Sequence, residues 1–396
     1  MTQPSTANPR PSASSGKKFD SVPLLDLHRQ YTQIREDVLA AVARVCSSQQ
    51  FILGAEVEAL EHEIAAFTGA TAAIGCASGT DALWLALAAA GVGPGEAVIT
   101  TPFSFFASAS AIVRAGARPV LVDVDSRTLN LDPLLVEKNL RSSGSSNVKA
   151  ILPVHLYGQC VDMDAFDRLS QEFKLPVIED AAQAIGAKWR DRPAGSLGVA
   201  AAFSFYPTKN LSAYGDAGLV TTRDPEMAER MRRLRNHGSP RRYYHEEFGW
   251  NARMDAIQAA VLCVKLPHVE SWNQQRRARA ASYDHLLDDA GLLTGKAPIH
   301  LLERSKSAHH VFHQYVVRAQ RREALRQFLT DRKIGTEIYY PIPLHLQPCF
   351  EYLGYRQGDL PESELAATEV LALPMFPELT EDEQRWVVES IAEFYS

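Results

Sequence analysis

"PVIED", residues 176–180, and "AAAFSFYPTKN", residues 200–210, decide how this chain folds. Each is a short apolar run that meets an ionisable residue at its end: Asp180 closes the first, and Lys209 follows the second. Runs of four to eight apolar residues bounded by turn residues read as buried strands. Strand side chains alternate faces, so Ile178 and Asp180 share one side while Glu179 points to the other. The two adjacent acids are therefore expected to differ in role.

The same rhythm extends in both directions. "TAAIGCAS" (71–78), "EAVITTP" (96–102), "RPVLVDVD" (118–125) and "AILPVHLYG" (150–158) read as further strands. Between them, "GTDALWLALAAAG", "ASASAIVRAG" and "DAFDRLSQEFK" carry helical spacing, and two helices precede the first strand, from Leu27 to about Cys46 and over 56–68 up to Gly69. Strands alternating with helices indicate an α/β domain whose mostly parallel sheet is covered on both faces. After "ARMDAIQAAVLCVKL" come a long charged helix (Trp272 to about Asp289), a strand-like "HHVFHQYVVRAQ" (309–320) and the helix "REALRQFLTDRK". These predict a smaller α+β domain over 267–396, following a large domain over 20–266. Residues 1–19, rich in Pro, Ser and Thr, read as a flexible tail.

Composition narrows the function classes. Of 396 residues, 46% are hydrophobic and 22% charged, which suits a globular protein. A net charge of -6 gives no general attraction to nucleic acid or acidic lipid. No segment is apolar enough to span a membrane. Five scattered cysteines without a C-x-x-C pair suggest a reducing, cytoplasmic home and neither zinc nor a dithiol centre.

In open parallel sheets, ligands gather at the carboxyl ends of the strands. Ser78 to Thr80, Phe105, His155, Asp180 and Lys209 all fall at such ends. Asp180 taken alone could cap the helical "AAQAIG", and Lys209 alone could run its stem along the core with its head in water. Together, a carboxylate and an amine at neighbouring strand mouths are what pyridoxal phosphate requires. The acid would keep the pyridine nitrogen protonated, and the amine, desolvated and so nucleophilic, would hold the aldehyde as a Schiff base. "CASGTDAL" (76–83) offers a phosphate cradle in Gly79, Thr80 and the start of a helix, although S-G-T before a helix is often only a cap.

Two further clusters invite chemistry. "MRRLRNHGSPRRYYH" (231–245) gathers arginines and tyrosines that could be a solvated loop or could meet the diphosphate and base of a nucleotide. In a continuous strand, His309 and His313 would face away from His310, so no metal site is expected there.

In order along the chain, "CASGTDAL", "TPFSFFAS", "VDVD", "PVHLYGQ", "IEDAAQAIGA", "FSFYPTKNL", "YGDAG", "NARMDAIQAA" and "YYPIPLHLQ" resemble the DegT/DnrJ/EryC1/StrS family of sugar aminotransferases. The resemblance runs from "VPLLDLHRQY" to "LPMFPELT" and implies an α/β fold-type I aminotransferase with pyridoxal 5'-phosphate as cofactor. By resemblance, Lys209 is the Schiff-base lysine and Asp180 the partner of the pyridine nitrogen. Phe105 stacks on the ring, Gln183 packs near its phenolic oxygen, and Gly79, Thr80 and Ser204 contact the phosphate. Asn251 would reach the phosphate from a neighbouring subunit, which implies a homodimer with shared active sites. His345, Tyr340, Tyr243 and Arg235 are expected around the substrate. Glutamate is the implied amino donor and a nucleotide-linked keto-sugar, aminated at C3 or C4, the acceptor, through a pyridoxamine form. A dehydratase of this family carries histidine in place of the lysine, so the lysine here favours transamination. A regulator that keeps the pocket without catalysis is the other alternative, and no helix-turn-helix segment is attached to support it.

Overall fold

The computed structural model describes residues 19–142, 147–294 and 297–396. The expected tail therefore lies outside the described residues except for Phe19. In chain order the elements are α1 (Leu27–Ser48), α2 (Ala55–Thr68), β1 (Ala72–Cys76), α3 (Gly79–Ala89), β2 (Ala97–Thr100), α4 (Ala107–Arg114), β3 (Arg118–Leu121), α5 (Pro133–Leu140), β4 (Val148–Leu152), α6 (Met163–Phe173) and β5 (Ile178–Asp180). There follow β6 (Lys188–Trp189), β7 (Arg192–Pro193), β8 (Ala200–Ser204), β9 (Gly218–Thr222), α7 (Pro225–Leu234), α8 (Ala256–Lys265) and α9 (Val269–Asp289). The last are β10 (Ile299–Leu301), β11 (Ala308–His309), β12 (Tyr315–Ala319), α10 (Arg322–Asp331), α11 (Pro361–Glu369), β13 (Val370–Leu373) and α12 (Glu381–Tyr395).

The main sheet runs β3-β2-β4-β5-β8-β9-β1, with β4 and β5 joined by parallel bridges at Ile151–Val177 and Val154–Asp180. Six strands point the same way. Only β9, which the alternation of strands and helices did not predict, is antiparallel to its neighbours β8 and β1. Both faces are apolar because alternate residues of each strand enter different cores. Ala201, Phe203 and Leu219 pack on the side of α2 and α6, while Ile178, Ala200, Ala202 and Val220 pack on the side of α3 and α7. Each fully buried Phe, Leu, Ile or Val among these contributes roughly 1.5–3 kcal/mol. Asp180 shares the side of Ile178, as alternation requires.

A three-stranded antiparallel sheet, β10-β12-β13, anchors the second core, which also takes in Val22 from the start of the chain. The two cores meet along α9, which begins in the first at Val269 and ends in the second at Tyr283 and Leu287. The run 309–320 is not one continuous strand. His309 ends β11, Phe312 turns into the left-handed region at φ 45°, and β12 starts only at Tyr315. That break aims His313 inward. Among the described residues, no helix is long and apolar enough to cross a membrane.

Candidate active site

Asp180 ends β5 and is 4% exposed. Its Oδ2 accepts a hydrogen bond from Ser108 Oγ at 2.7 Å, and its Oδ1 one from the Ala182 N–H at 3.2 Å. Burial raises its pKa above the ordinary carboxylate value, opposed by those two bonds and by the positive charge of Lys209. Glu179 faces the opposite side and is a structural acid. It accepts from the N–H groups of Gly195 (3.0 Å), Leu197 (2.8 Å) and Gly198 (2.8 Å), and pairs with His155 Nε2 at 3.0 Å. Since His155 Nδ1 accepts from the Val161 N–H, the ring proton sits on Nε2 and the imidazole is fully engaged away from the cavity.

Lys209 lies in the turn after β8, the parallel neighbour of β5, with its N–H bonded to the Tyr206 carbonyl at 2.8 Å. Burial lowers its pKa from 10.5 to about 8, even though the charge of Asp180 pulls the other way. The two side chains line one cavity of about 570 Å³ without forming a direct ion pair, so the space between them stays open. At one end Ser78 caps α3, its Oγ accepting from the Asp81 N–H, while Gly79, Thr80 and Ser204 line the wall. A Cβ on Gly79 would lie 2.6 Å from the Ser204 Cβ, so only glycine lets the helix start come this close to β8. The first N–H groups of a helix lack internal partners and favour an anion.

The depressed lysine makes a prediction. The folded chain releases this proton near pH 8 and the unfolded chain near 10.5, so the buried charge weakens the cofactor-free fold fully below pH 8. The penalty fades as pH rises from 8 to 10.5. Lys209→Met should therefore melt above the parent protein at pH 7, with the gap closing by pH 10. Reductive trapping of Lys209 by a small aldehyde, read by mass spectrometry, should speed up through about pH 8. A rate that climbs only near 10.5 would contradict a desolvated amine.

Phe105, 59% exposed, and Tyr340 also line the cavity, with their ring centroids 6.4 Å apart. Gln183 links two walls: its Oε1 accepts from the Tyr157 N–H at 2.6 Å, and its Nε2 donates to the Tyr340 hydroxyl at 3.0 Å. A model of the DegT/DnrJ/EryC1/StrS aminotransferase family matches residues 32–392. The chain belongs to that family. It is 52% identical over 375 residues to a pleiotropic regulatory protein of Geobacillus stearothermophilus, covering 95% of this chain and 99% of that one. It is 43% identical over 381 residues to the dTDP-3-amino-3,4,6-trideoxy-alpha-D-glucose transaminase of Streptomyces venezuelae, covering 96% and 98%. The crystal structure of S. venezuelae DesV in complex with a ketimine intermediate superposes with a TM-score of 0.90 at 44% identity, covering 94% and 98%. The matches span both cores, so the whole architecture is that of these aminotransferases.

Several family positions lie outside the cavity in a single chain. Asn251 is exposed and accepts from Arg253 Nε at 3.1 Å. His345 is buried, with Nε2 3.0 Å from Glu364 Oε1. Tyr243, 84% exposed, stacks with Arg242, and Arg241 with Tyr244. Arg235 sits apart from the exposed part of the expected substrate loop. It is buried, and its Nη1 donates to Glu61 Oε1 (2.5 Å) and to the Gly75 carbonyl (2.7 Å). Of the four residues expected around the substrate, the cavity receives only Tyr340. Removing one partner of such a pair costs about 3–5 kcal/mol. Arg235→Ala should lose that much stability in chemical denaturation while leaving the substrate KM values within about threefold at 15 °C; a selective rise in the sugar KM would return Arg235 to the substrate site.

The structure adds residues to which the sequence reading gave no part in this site. Ser108 holds Asp180. Asn210, Asn273 and His313 form a buried chain: Asn210 Nδ2 donates to Asn273 Oδ1 (2.7 Å), and His313 Nδ1 meets Asn210 Oδ1 (3.1 Å). Arg276 joins the cavity wall. A signal for two of them was present, because Asn273 and Arg276 are polar residues on the buried stripe of α9, with Val269, Trp272, Ala280 and Tyr283.

Proposed function

We propose that the chain is a cytoplasmic, homodimeric, pyridoxal-phosphate-dependent aminotransferase that moves an amino group from glutamate to C3 or C4 of a nucleotide-linked keto-sugar. The observation that carries this reading is the facing of Lys209 and Asp180 across one cavity from neighbouring parallel strands. The residues present fit the cofactor: a buried carboxylate, a partly desolvated amine and a glycine-lined helix start stand around a space of suitable size. When bound, pyridoxal phosphate supplies an electron sink that lets a proton leave the substrate carbon.

The chain's own residues do the rest. Asp180, kept in place by Ser108 and the Ala182 N–H, would hold the ring nitrogen protonated. Lys209 Nζ, with its proton affinity lowered by burial, anchors the cofactor and then takes up and returns a proton. The Gly79 and Thr80 N–H groups with the Ser204 hydroxyl would hold the phosphate. Phe105 would pack against the cofactor ring, and Gln183 keeps the Tyr340 hydroxyl at the edge of the cavity. Asn251, exposed and not among the residues that line its own cavity, serves that of a second copy.

The transaminase relative of S. venezuelae supports a nucleotide sugar as acceptor. The regulatory relative supports a second reading, in which the pocket senses a ligand without turnover. Incubating the purified protein with glutamate and a panel of nucleotide keto-sugars separates them. The first reading requires 2-oxoglutarate and amino-sugar in equal amounts, and formation of neither with any acceptor supports the second.

A further inference from the structure

Arg276, on α9, is 3% exposed and lines the cavity in company with Leu24, Leu25 and Met375. Its Nη1 is consumed by three carbonyls, those of Phe312 (3.2 Å), His313 (3.3 Å) and Met375 (3.1 Å). Its Nε is buried without a partner. Among the described residues its Nη2 has no hydrogen-bond partner, and the side chain lines the cavity. Burial lowers the pKa to about 10, so the group is still a cation at neutral pH. Glu378 is close enough to feel that charge but forms no ion pair with it, and His313 beside it is held neutral by burial. Three carbonyls fix the orientation of the guanidinium, and the buried carboxylate of Glu378, whose oxygens have no hydrogen-bond partner among the described residues, supplies a counter-charge on one side only through space.

We propose that Arg276 Nη2 receives a carboxylate of the amino-acid donor, so that the donor half of the reaction depends on it and the sugar half does not. This rests on the aminotransferase reading and names the group that selects an acidic donor. The apolar surroundings and the single free nitrogen suit one carboxylate oxygen better than a diphosphate, which needs several donors. A uronic keto-sugar is the other possible source of a carboxylate, and the kinetics below separate the two.

The first measurement needs no cofactor. In phosphate buffer, which fills the phosphate cradle, glutarate should raise the melting temperature of the cofactor-free protein and the neutral glutaramide should not. Equal effects of the two on the parent protein would overturn the proposal without any variant. Arg276→Lys keeps a charge for the carbonyls and should lose the glutarate response. In the loaded enzyme, the same variant should raise the glutamate KM by about 10- to 100-fold and leave the sugar KM within about threefold. A rise shared equally by both substrates, or confined to a uronic sugar, would assign Arg276 to structure or to the acceptor. If the parent protein transfers nitrogen to no sugar, the aminotransferase reading fails, while the glutarate measurement still decides the role of Arg276.

Discussion

Lys209→Ala and Lys209→Arg are both expected to lower kcat/KM for amino transfer by about 10⁴- to 10⁶-fold, measured as 2-oxoglutarate released from glutamate in the presence of the sugar acceptor. Alanine removes the amine. Arginine keeps a cation opposite Asp180 but is never neutral in a protein, so it can neither hold an aldehyde nor accept a proton. The pair of variants therefore separates charge from nucleophilicity. If Lys209 only balanced Asp180, arginine would restore most of the activity and the proposed chemistry would fall. Folding offers no alternative explanation for a loss in the alanine variant, since removing a poorly hydrated ammonium relieves a cost of the fold.

The central pair was legible in the sequence because strand alternation and strand-end placement are local rules. Ile178 and Asp180 share a face whatever the rest of the chain does, and a lysine just after a buried strand is placed by that strand. Residues whose roles depend on distant partners were not legible. Arg235 sits among arginines and tyrosines in the sequence, yet its partner Glu61 is 174 residues away on α2, and the two meet because α7 and α2 both pack on β1. Arg276 meets carbonyls 36 to 99 residues further along. The histidine run misled in another way. Read as one strand, it points His309 and His313 to the same side, but the left-handed turn at Phe312 separates them and delivers His313 to Asn210. The antiparallel β9 was missed because a strand that returns without an intervening helix breaks the rhythm from which the sheet was inferred.

Asp180→Asn tests the other half of the pair, and its geometry makes the outcome specific. The amide is nearly the same shape and can keep both bonds, because the Ser108 hydroxyl can donate or accept and the Ala182 N–H still finds an oxygen. What is lost is the negative charge. A charged hydrogen bond is worth about 1.5–3 kcal/mol, and an amide cannot hold the ring nitrogen protonated, so kcat should fall by roughly 10- to 150-fold. The cofactor-free fold should not suffer, since a carboxylate whose pKa is raised by burial costs stability once pH exceeds its ordinary value, and the amide removes that cost. Lys209 should respond as well. Asp180 is the influence that raises the pKa of the lysine against burial, so in the variant it should titrate below about 8, and reductive trapping by an aldehyde should accelerate at lower pH. An unchanged trapping profile would mean that the two groups do not sense each other across the cavity. Lost activity would then have to be explained without the coupling on which the pairing of acid and amine depends.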